Sequence, residues 1–302
     1  MEHVEPDLRP ERDVRKLAGE IGERNDRDAA RHRKLEDAAD YIEGRLRALG
    51  LPPRAQAFFV DGRRYRNLEV VLGPDDGSPA LVVGAHYDSV RGSPGANDNA
   101  TGVAAALALA DTLNRTAPTR TVRVAFFTNE EPPHTRKATM GSLVYAKALA
   151  RRSVVVHGMI SLETVGFFTQ DRHHETLPAV ARLGPLGSPM RPDFFAVVGN
   201  LRSRAWGREV GGALSSAGAR VRTAALPGIL PGVRSSDHWS FWQTKTPAVM
   251  ITDTAPLRYR HYHRPSDALE QVAWPAFRLA VSRIVRALAA VAGAHPSADA
   301  AG

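Results

Sequence analysis

Apolar residues along this chain recur with two different periods, and the two kinds of run alternate. Between about residues 28 and 49, Leu35, Ala38, Ala39, Ile42, Leu46 and Leu49 recur at helical spacing, and Gly50, Pro52 and Pro53 end the run. Two short strand-like runs follow, Asn67 to Leu72 and Leu81 to Ala85, split by the turn-rich string GPDDGSP. LVVGA is continuously apolar, as a strand buried on both faces should be. The Ala- and Leu-rich segment after Asn99 predicts a buried helix. Thr121–Phe127 predicts a strand, Met140–Ala150 a helix, and Val154–Leu162 and Phe194–Val198 two more strands. Residues 203–217 read as a helix, Pro247–Ile251 as a strand and Trp274–Val291 as a closing amphipathic helix. Strands alternating with helices imply an α/β fold with a mostly parallel or mixed sheet and helices on both faces. In such sheets ligands lie beyond the carboxyl ends of the strands.

Composition narrows the picture. A chain of 302 residues with 43% hydrophobic residues can bury a real core. No internal repeat or linker divides it, so residues 1–302 are expected to form one domain, with about 1–10 and 294–302 as flexible tails. The Pro- and Gly-bearing stretch from about Thr169 to Arg191 is the expected insertion bordering the site. No apolar run approaches the ~20 residues that span a bilayer, so no membrane association is expected. The charged start MEHVEPDLRPERDVRK is unlike a signal peptide. A cytoplasmic protein is the expectation, or a secreted one if a leader has been trimmed. There are no cysteines, so any metal must be held by His, Asp and Glu. The net charge of +8 invites a nucleic-acid reading. The positive charge is spread among acids along the whole chain, without a basic block interleaved with aromatics, so no nucleic-acid partner is expected.

The chemistry collects where the predicted strands end. LVVGA is followed by His86-Tyr87-Asp88, and a Gly/Pro loop by Asn97-Asp98-Asn99. VRVAFFT is followed by Asn129-Glu130-Glu131, MISL by Glu163, and PAVMI, after a loop, by His261-Tyr262-His263 and Asp267. Each has an ordinary alternative: a core histidine, a helix cap at Asp98, a solvated acidic pair at Glu130-Glu131. Yet adjacent carboxylates at a buried strand end repel one another unless cations compensate. Two His and three carboxylates suit a pair of divalent ions that share a bridging carboxylate. No GxSxG, HExxH, P-loop or GxGxxG pattern competes.

The strings GAHYDSV, PGANDNATGVAA, FFTNEEPP, MGSLVYAKAL, ISLETVGFF, SSDHWSFW and HYHRPSD occur in that order between about Asn67 and Val272. Together they resemble the di-zinc aminopeptidase family, which includes bacterial leucyl-type aminopeptidases, glutamate carboxypeptidases and glutaminyl cyclases. The resemblance implies a three-layer α/β/α domain with a mixed, mostly parallel sheet of about eight strands. It implies two zinc ions, with Co or Mn as possible replacements. His86 and Glu163 would hold one, Glu131 and His263 the other, and Asp98 would bridge them. Glu130 would be the general base and Asp88 would orient His86. The family's closing H-x-x-x-D pattern selects His263 over His261 and makes Asp267 a supporting residue; Asp237 would support the site or form its wall. The implied activity is hydrolysis of N-terminal residues from peptides with a free N-terminus. A one-zinc glutaminyl cyclase, a carboxypeptidase or amidase, and a binding domain without activity are the alternatives. Two features depart from the family. Many members carry Asp where this chain has Glu163, and the string HTRKA after Pro133 stands where near relatives tend to carry aromatics.

Overall fold

The computed structural model describes residues 9–168, 193–230 and 232–294. Among the described residues eight strands join one sheet, in the order β1-β2-β4-β3-β5-β8-β6-β7. They are β1 (Arg54–Val60), β2 (Arg63–Leu72), β3 (Ala80–His86), β4 (Val122–Phe127), β5 (Val156–Leu162), β6 (Phe195–Gly199), β7 (Val221–Ala225) and β8 (Ala248–Thr252). The four central strands β4, β3, β5 and β8 run parallel to one another. Their carboxyl ends therefore open on one edge. The β1–β2, β2–β4 and β6–β8 pairs are antiparallel, while β7 runs parallel to β6.

The helices used below are α1 (Pro10–Val14), α2 (Ala29–Ala48), α3 (Gly102–Thr116), α4 (Gly141–Arg151), α5 (Arg204–Ser216), α6 (His238–Trp242), α7 (Ala255–Arg258) and α8 (Trp274–Val291). Alternation along β3 divides the core in two. Leu81, Val83 and Ala85 join the larger cluster with α1, α2, α3, α5 and α8, while Val82 joins Tyr145, Leu149 and Phe241 of α4 and α6. This is the three-layer α/β/α arrangement. At ~25 cal/mol per Å² of apolar surface, these two layers provide the main favourable contribution to folding. Among the described residues no helix is long and apolar enough to cross a membrane.

Several boundaries differ from the sequence pattern. β1 and β7 were not expected from the periodicity, and β2 begins at Arg63 rather than Asn67. Both missed strands lie at the sheet's edges, where one face meets solvent and Arg and Thr replace the continuous apolar run. The strand expected from Val154 starts at Val156. The amino-terminal flexible tail was expected to reach about residue 10, but Pro10 is buried and opens α1, the first helical position suiting proline's fixed φ. The expected insertion from Thr169 to Arg191 and the tail beyond residue 294 lie outside the described residues.

Candidate metal centre

Six of the expected residues converge at the carboxyl edge of the central strands. His86 is the last residue of β3, and Asp98 lies in the turn that opens α3. Glu130 and Glu131 follow β4, Glu163 follows β5, and His263 lies in the loop after α7. Three of these loops hold a non-glycine residue in the left-handed region: Asn129 (φ 58°), Thr164 (φ 52°) and His263 itself (φ 58°). Such conformations cost roughly 1–3 kcal/mol each and persist where the surroundings impose them.

His86 Nε2 lies 3.3 Å from Asp98 Oδ1 and 3.2 Å from Glu163 Oε2. His263 Nε2 lies 3.2 Å from Asp98 Oδ2 and 3.3 Å from Glu131 Oε2. Asp98 thus turns one oxygen to each trio, and the donor atoms of each trio fall within 4.8 Å of one another. Atoms about 2.1 Å from a common tetrahedral ion are ~3.4 Å apart, close to the separations found. Among the described residues, His86 Nε2, both Asp98 oxygens, Glu131 Oε1 and Glu130 Oε1 are buried without a hydrogen-bond partner. Buried polar atoms are rarely left so, and this donor set of imidazole nitrogen and carboxylate oxygen fits zinc. Tyr262 stacks on the His263 ring, with centroids 4.0 Å apart and planes 16° from parallel. His261, the rival histidine, instead hydrogen-bonds Ser266 Oγ at 2.8 Å.

A second set of carboxylates frames the first through backbone amides. Asp88 accepts from the N–H groups of Glu130 and Glu131, both at 3.1 Å. Its carboxylate is 3.5 Å from His86 Nδ1 and its carbonyl 3.3 Å. Asp88 thus contacts both the Glu130-Glu131 amides and the edge of the His86 imidazole. Asp267 accepts from Asn97 N–H at 2.9 Å and Asp98 N–H at 3.1 Å, and from the Tyr259 hydroxyl at 2.8 Å. Asn97 and Asn99 tie the turn to the end of β5. Asn97 Oδ1 accepts from Gly166 N–H at 2.8 Å, and Asn99 Oδ1 from Thr164 N–H at 3.1 Å. Ser236 Oγ donates to Glu163 Oε2 at 2.7 Å. Asp237 beside it is fully buried.

Electrostatics follow from this crowding. Burial, then the Asp98 charge, pushes Glu131 up to about 7, and burial raises Glu130 well above the usual carboxylate range. Burial likewise raises Asp237 to about 7 and Asp267 to about 6. Burial works to lower His263, but Asp98 and Glu131 outweigh it and raise the imidazole to about 10. Asp98 shows the complement: burial would raise it, yet the two histidines hold it below its ordinary value.

Two supporting residues carried no signal in the sequence pattern. Asp253, at the end of β8, accepts from Phe167 N–H at 2.7 Å and the Asn97 amide at 3.1 Å. Arg24 is completely buried behind the centre. Its guanidinium donates to the carbonyls of Tyr87 (2.5 Å), Pro94 (2.6 Å), Gly95 (3.0 Å), Leu17 (3.2 Å) and Gly22 (3.2 Å).

The model of peptidase family M28 matches residues 67–289. The chain belongs to this family. Protein YfbL of Escherichia coli (strain K12) is 36% identical to this M28 peptidase over 263 residues, covering 84% of this chain and 80% of YfbL. Two solved structures share the M28 peptidase's fold. The LapA aminopeptidase of Legionella pneumophila superposes with a TM-score of 0.72 at 16% identity, over 94% of this chain and 71% of LapA. The zinc aminopeptidase BSAP of Bacillus subtilis gives 0.72 at 15% identity, over 97% of both chains. Arg24 and the Leu17–Gly22 carbonyls it reaches lie ahead of the segment that the family model matches.

Proposed function

We propose that this chain is a di-zinc aminopeptidase that removes N-terminal residues from peptides, with Glu130 as general base. One observation carries the reading: Asp98 is shared by two complete trios, and Glu130, with one buried oxygen lacking a partner among the described residues, lines the adjoining cavity. His86, Asp98 and Glu163 would hold one ion, and Asp98, Glu131 and His263 the other. Two bound zinc ions would supply Lewis acidity, polarising the scissile carbonyl and lowering the pKa of the attacking water.

The chain's own groups do the rest. Glu130 takes the proton from the attacking water and returns it to the leaving amine. Its raised pKa, caused first by burial, suits a group that must both accept and release a proton. Asp88 fixes the peptide units of Glu130 and Glu131, so base and ligand keep a constant relation. The adjoining cavity measures about 360 Å³ and is lined by Glu130, Glu131, Tyr262 and His263. That is near the lower end for ligand pockets. It suits a chain end rather than a polypeptide running through, and its carboxylates favour a free ammonium. The fold is shared with proteins named as zinc aminopeptidases. A one-zinc glutaminyl cyclase would need only one trio, so two complete trios favour the hydrolase.

The test uses aminoacyl-p-nitroanilides and short peptides, free and N-acetylated, with metal content measured alongside. Turnover should need a free amine and be lost on chelation. Glu130→Gln should keep two equivalents of zinc and lose at least ~100-fold in kcat. Full activity in that variant, or equal cleavage of acetylated peptides, would overturn the assignment.

A further inference from the structure

The cavity beside the centre is lined by groups of both signs: Glu130 and Glu131 with His263, and the exposed Arg136 and Arg234. Ile229, 78% exposed, adds apolar surface at the rim. Among the described residues neither arginine side chain makes an ion pair or a hydrogen bond, whereas many other arginines of this chain are engaged with acids. Arg136 is also held in register with the catalytic edge. Thr135 Oγ1 donates to the Glu130 carbonyl at 2.7 Å, and His134 N–H donates to the Glu131 carbonyl at 2.9 Å. Arg136 N–H contacts Met140 Sδ at 3.3 Å, with Arg136 at φ 58°. The backbone that presents its guanidinium is thus tied to the Glu130-Glu131 pair. Arg136 belongs to the HTRKA string.

We propose that this cavity selects substrates carrying a carboxylate close to the scissile N-terminal residue, bound by Arg136 and Arg234. This rests on the aminopeptidase reading for the direction in which the peptide enters. The ammonium is drawn to the carboxylates and the ligand's carboxylate to the guanidinium groups, so the lining offers each ligand charge its opposite. Guanidinium–carboxylate hydrogen bonds are directional and about twice as strong as neutral ones. A neutral isostere offers these exposed arginines no charge-assisted partner and should bind more weakly. The carboxylate has two sources: an Asp or Glu side chain, or the α-carboxylate of a dipeptide or tripeptide.

Two paired measurements test this on the zinc-loaded protein. In the first, kcat/KM is compared for Glu- against Gln-p-nitroanilide, and for Leu-Ala against Leu-Ala-amide. At least one pair should favour the carboxylate by tenfold or more, and the favoured pair names the source. The double variant Arg136→Gln/Arg234→Gln should reduce that preference to threefold or less, and raised salt should weaken it. In the second, calorimetric titration in the Glu130→Gln background measures Kd for Glu-Ala and Leu-Ala and for their carboxamide counterparts, with and without the two arginine substitutions. A tenfold preference that vanishes with the arginines supports the proposal even if the wild type cleaves none of these substrates, an outcome that would count against the aminopeptidase reading alone. Equal Kd values within each pair, or a preference that survives the double variant, overturns it.

Discussion

Replacing Arg24 with leucine tests how much of the centre's framework depends on one buried cation. The guanidinium is 0% exposed and spends its donors on five carbonyls from two stretches, residues 17–22 and 87–95. The backbone reinforces the link, since Arg24 N–H donates to Ser89 Oγ at 3.1 Å and Ser89 N–H to the Arg24 carbonyl at 3.0 Å. Among the described residues no carboxylate lies within 4.0 Å of the guanidinium. Burial lowers its pKa to about 10, partly offset by the charges of Asp88, Asp267, Asp98 and Glu131. It therefore stays charged at neutral pH and is balanced at a distance by the acids of the centre. Leucine would leave several buried carbonyls without donors and the acids without their cation. Breaking a buried charged partnership costs about 3–5 kcal/mol, a large share of a typical ~5–15 kcal/mol total. Lysine keeps the charge but cannot fork, so Arg24→Lys should lose about half as much, roughly 2 kcal/mol, by the lost hydrogen bonds alone.

Urea unfolding of the wild type and both variants, without and with zinc, measures this as a change in midpoint at constant slope. The same stretch carries Asp88, so chelator competition should show zinc affinity at least ~10-fold weaker in folded Arg24→Leu. A leucine variant within ~1 kcal/mol of wild type would refute the reasoning. Equal losses for lysine and leucine would refute the part assigned to charge.

Asp267→Asn turns an amide N–H₂ towards one of two backbone N–H groups that flank Asp98; zinc affinity should fall ~10–100-fold, as for other residues supporting a ligand, with unchanged far-UV dichroism. The pH dependence of the chelated protein follows from the shifts. Glu131 and Asp237 rise to about 7 and Asp267 to about 6, all with burial as the first cause. The folded state then holds protons that the unfolded chain has released above about pH 4, so this stability is full below that pH and is lost as pH rises through about 7. His263, raised to about 10 by Asp98 and Glu131 against the lowering effect of burial, extends the loss upward. Denaturation midpoints of the chelated protein should fall between pH 5 and 8. Zinc should stabilise more at pH 8 than at pH 5, because its ligands must be deprotonated; a flat profile would contradict the assigned shifts.

How far the sequence could be read depended on where each residue lies in the sheet. β3, β4, β5 and β8 are buried throughout or nearly so, so their apolar runs stand out, and the polar residues that follow them fall at one edge. β1 and β7 are half solvated, and strings such as RAQAFFV and VRTAA carry no decisive period. His263 could be separated from His261 only by the family's spacing; the left-handed backbone at His263 that turns its ring inward has no signature in the letters. Asp88 and Asp267 drew notice as acids near candidate ligands. Their bonds to the amides of residues 130–131 and 97–98 join positions about 40 and 170 residues apart, which no local pattern encodes. Arg24 is one of 40 basic residues, and only burial distinguishes it.

The buried acids of the centre divide by what their oxygens do. Asp88, Asp253 and Asp267 spend theirs on N–H groups of the loops. Asp98 has both oxygens free of hydrogen bonds, and Glu130 and Glu131 each have one. Amide dipoles partly solvate the first group, although burial still raises Asp253 to about 7 and Asp267 to about 6, and these bonds fix the loops. The second group lacks such amide partners: His86 and His263 compensate Asp98, while burial and mutual repulsion raise Glu130 and Glu131. That cost makes the arrangement specific. A fold that holds unsatisfied carboxylates at fixed positions binds divalent cations more tightly than a flexible chain with the same residues, because the ordering entropy has already been lost in folding the frame. Metal affinity at the trios and stability of the surrounding loops are therefore one linked quantity. Substitutions in the frame should appear in both measurements, whereas substitutions at Glu130, which the trios do not include, should change the chemistry and leave both almost unmoved.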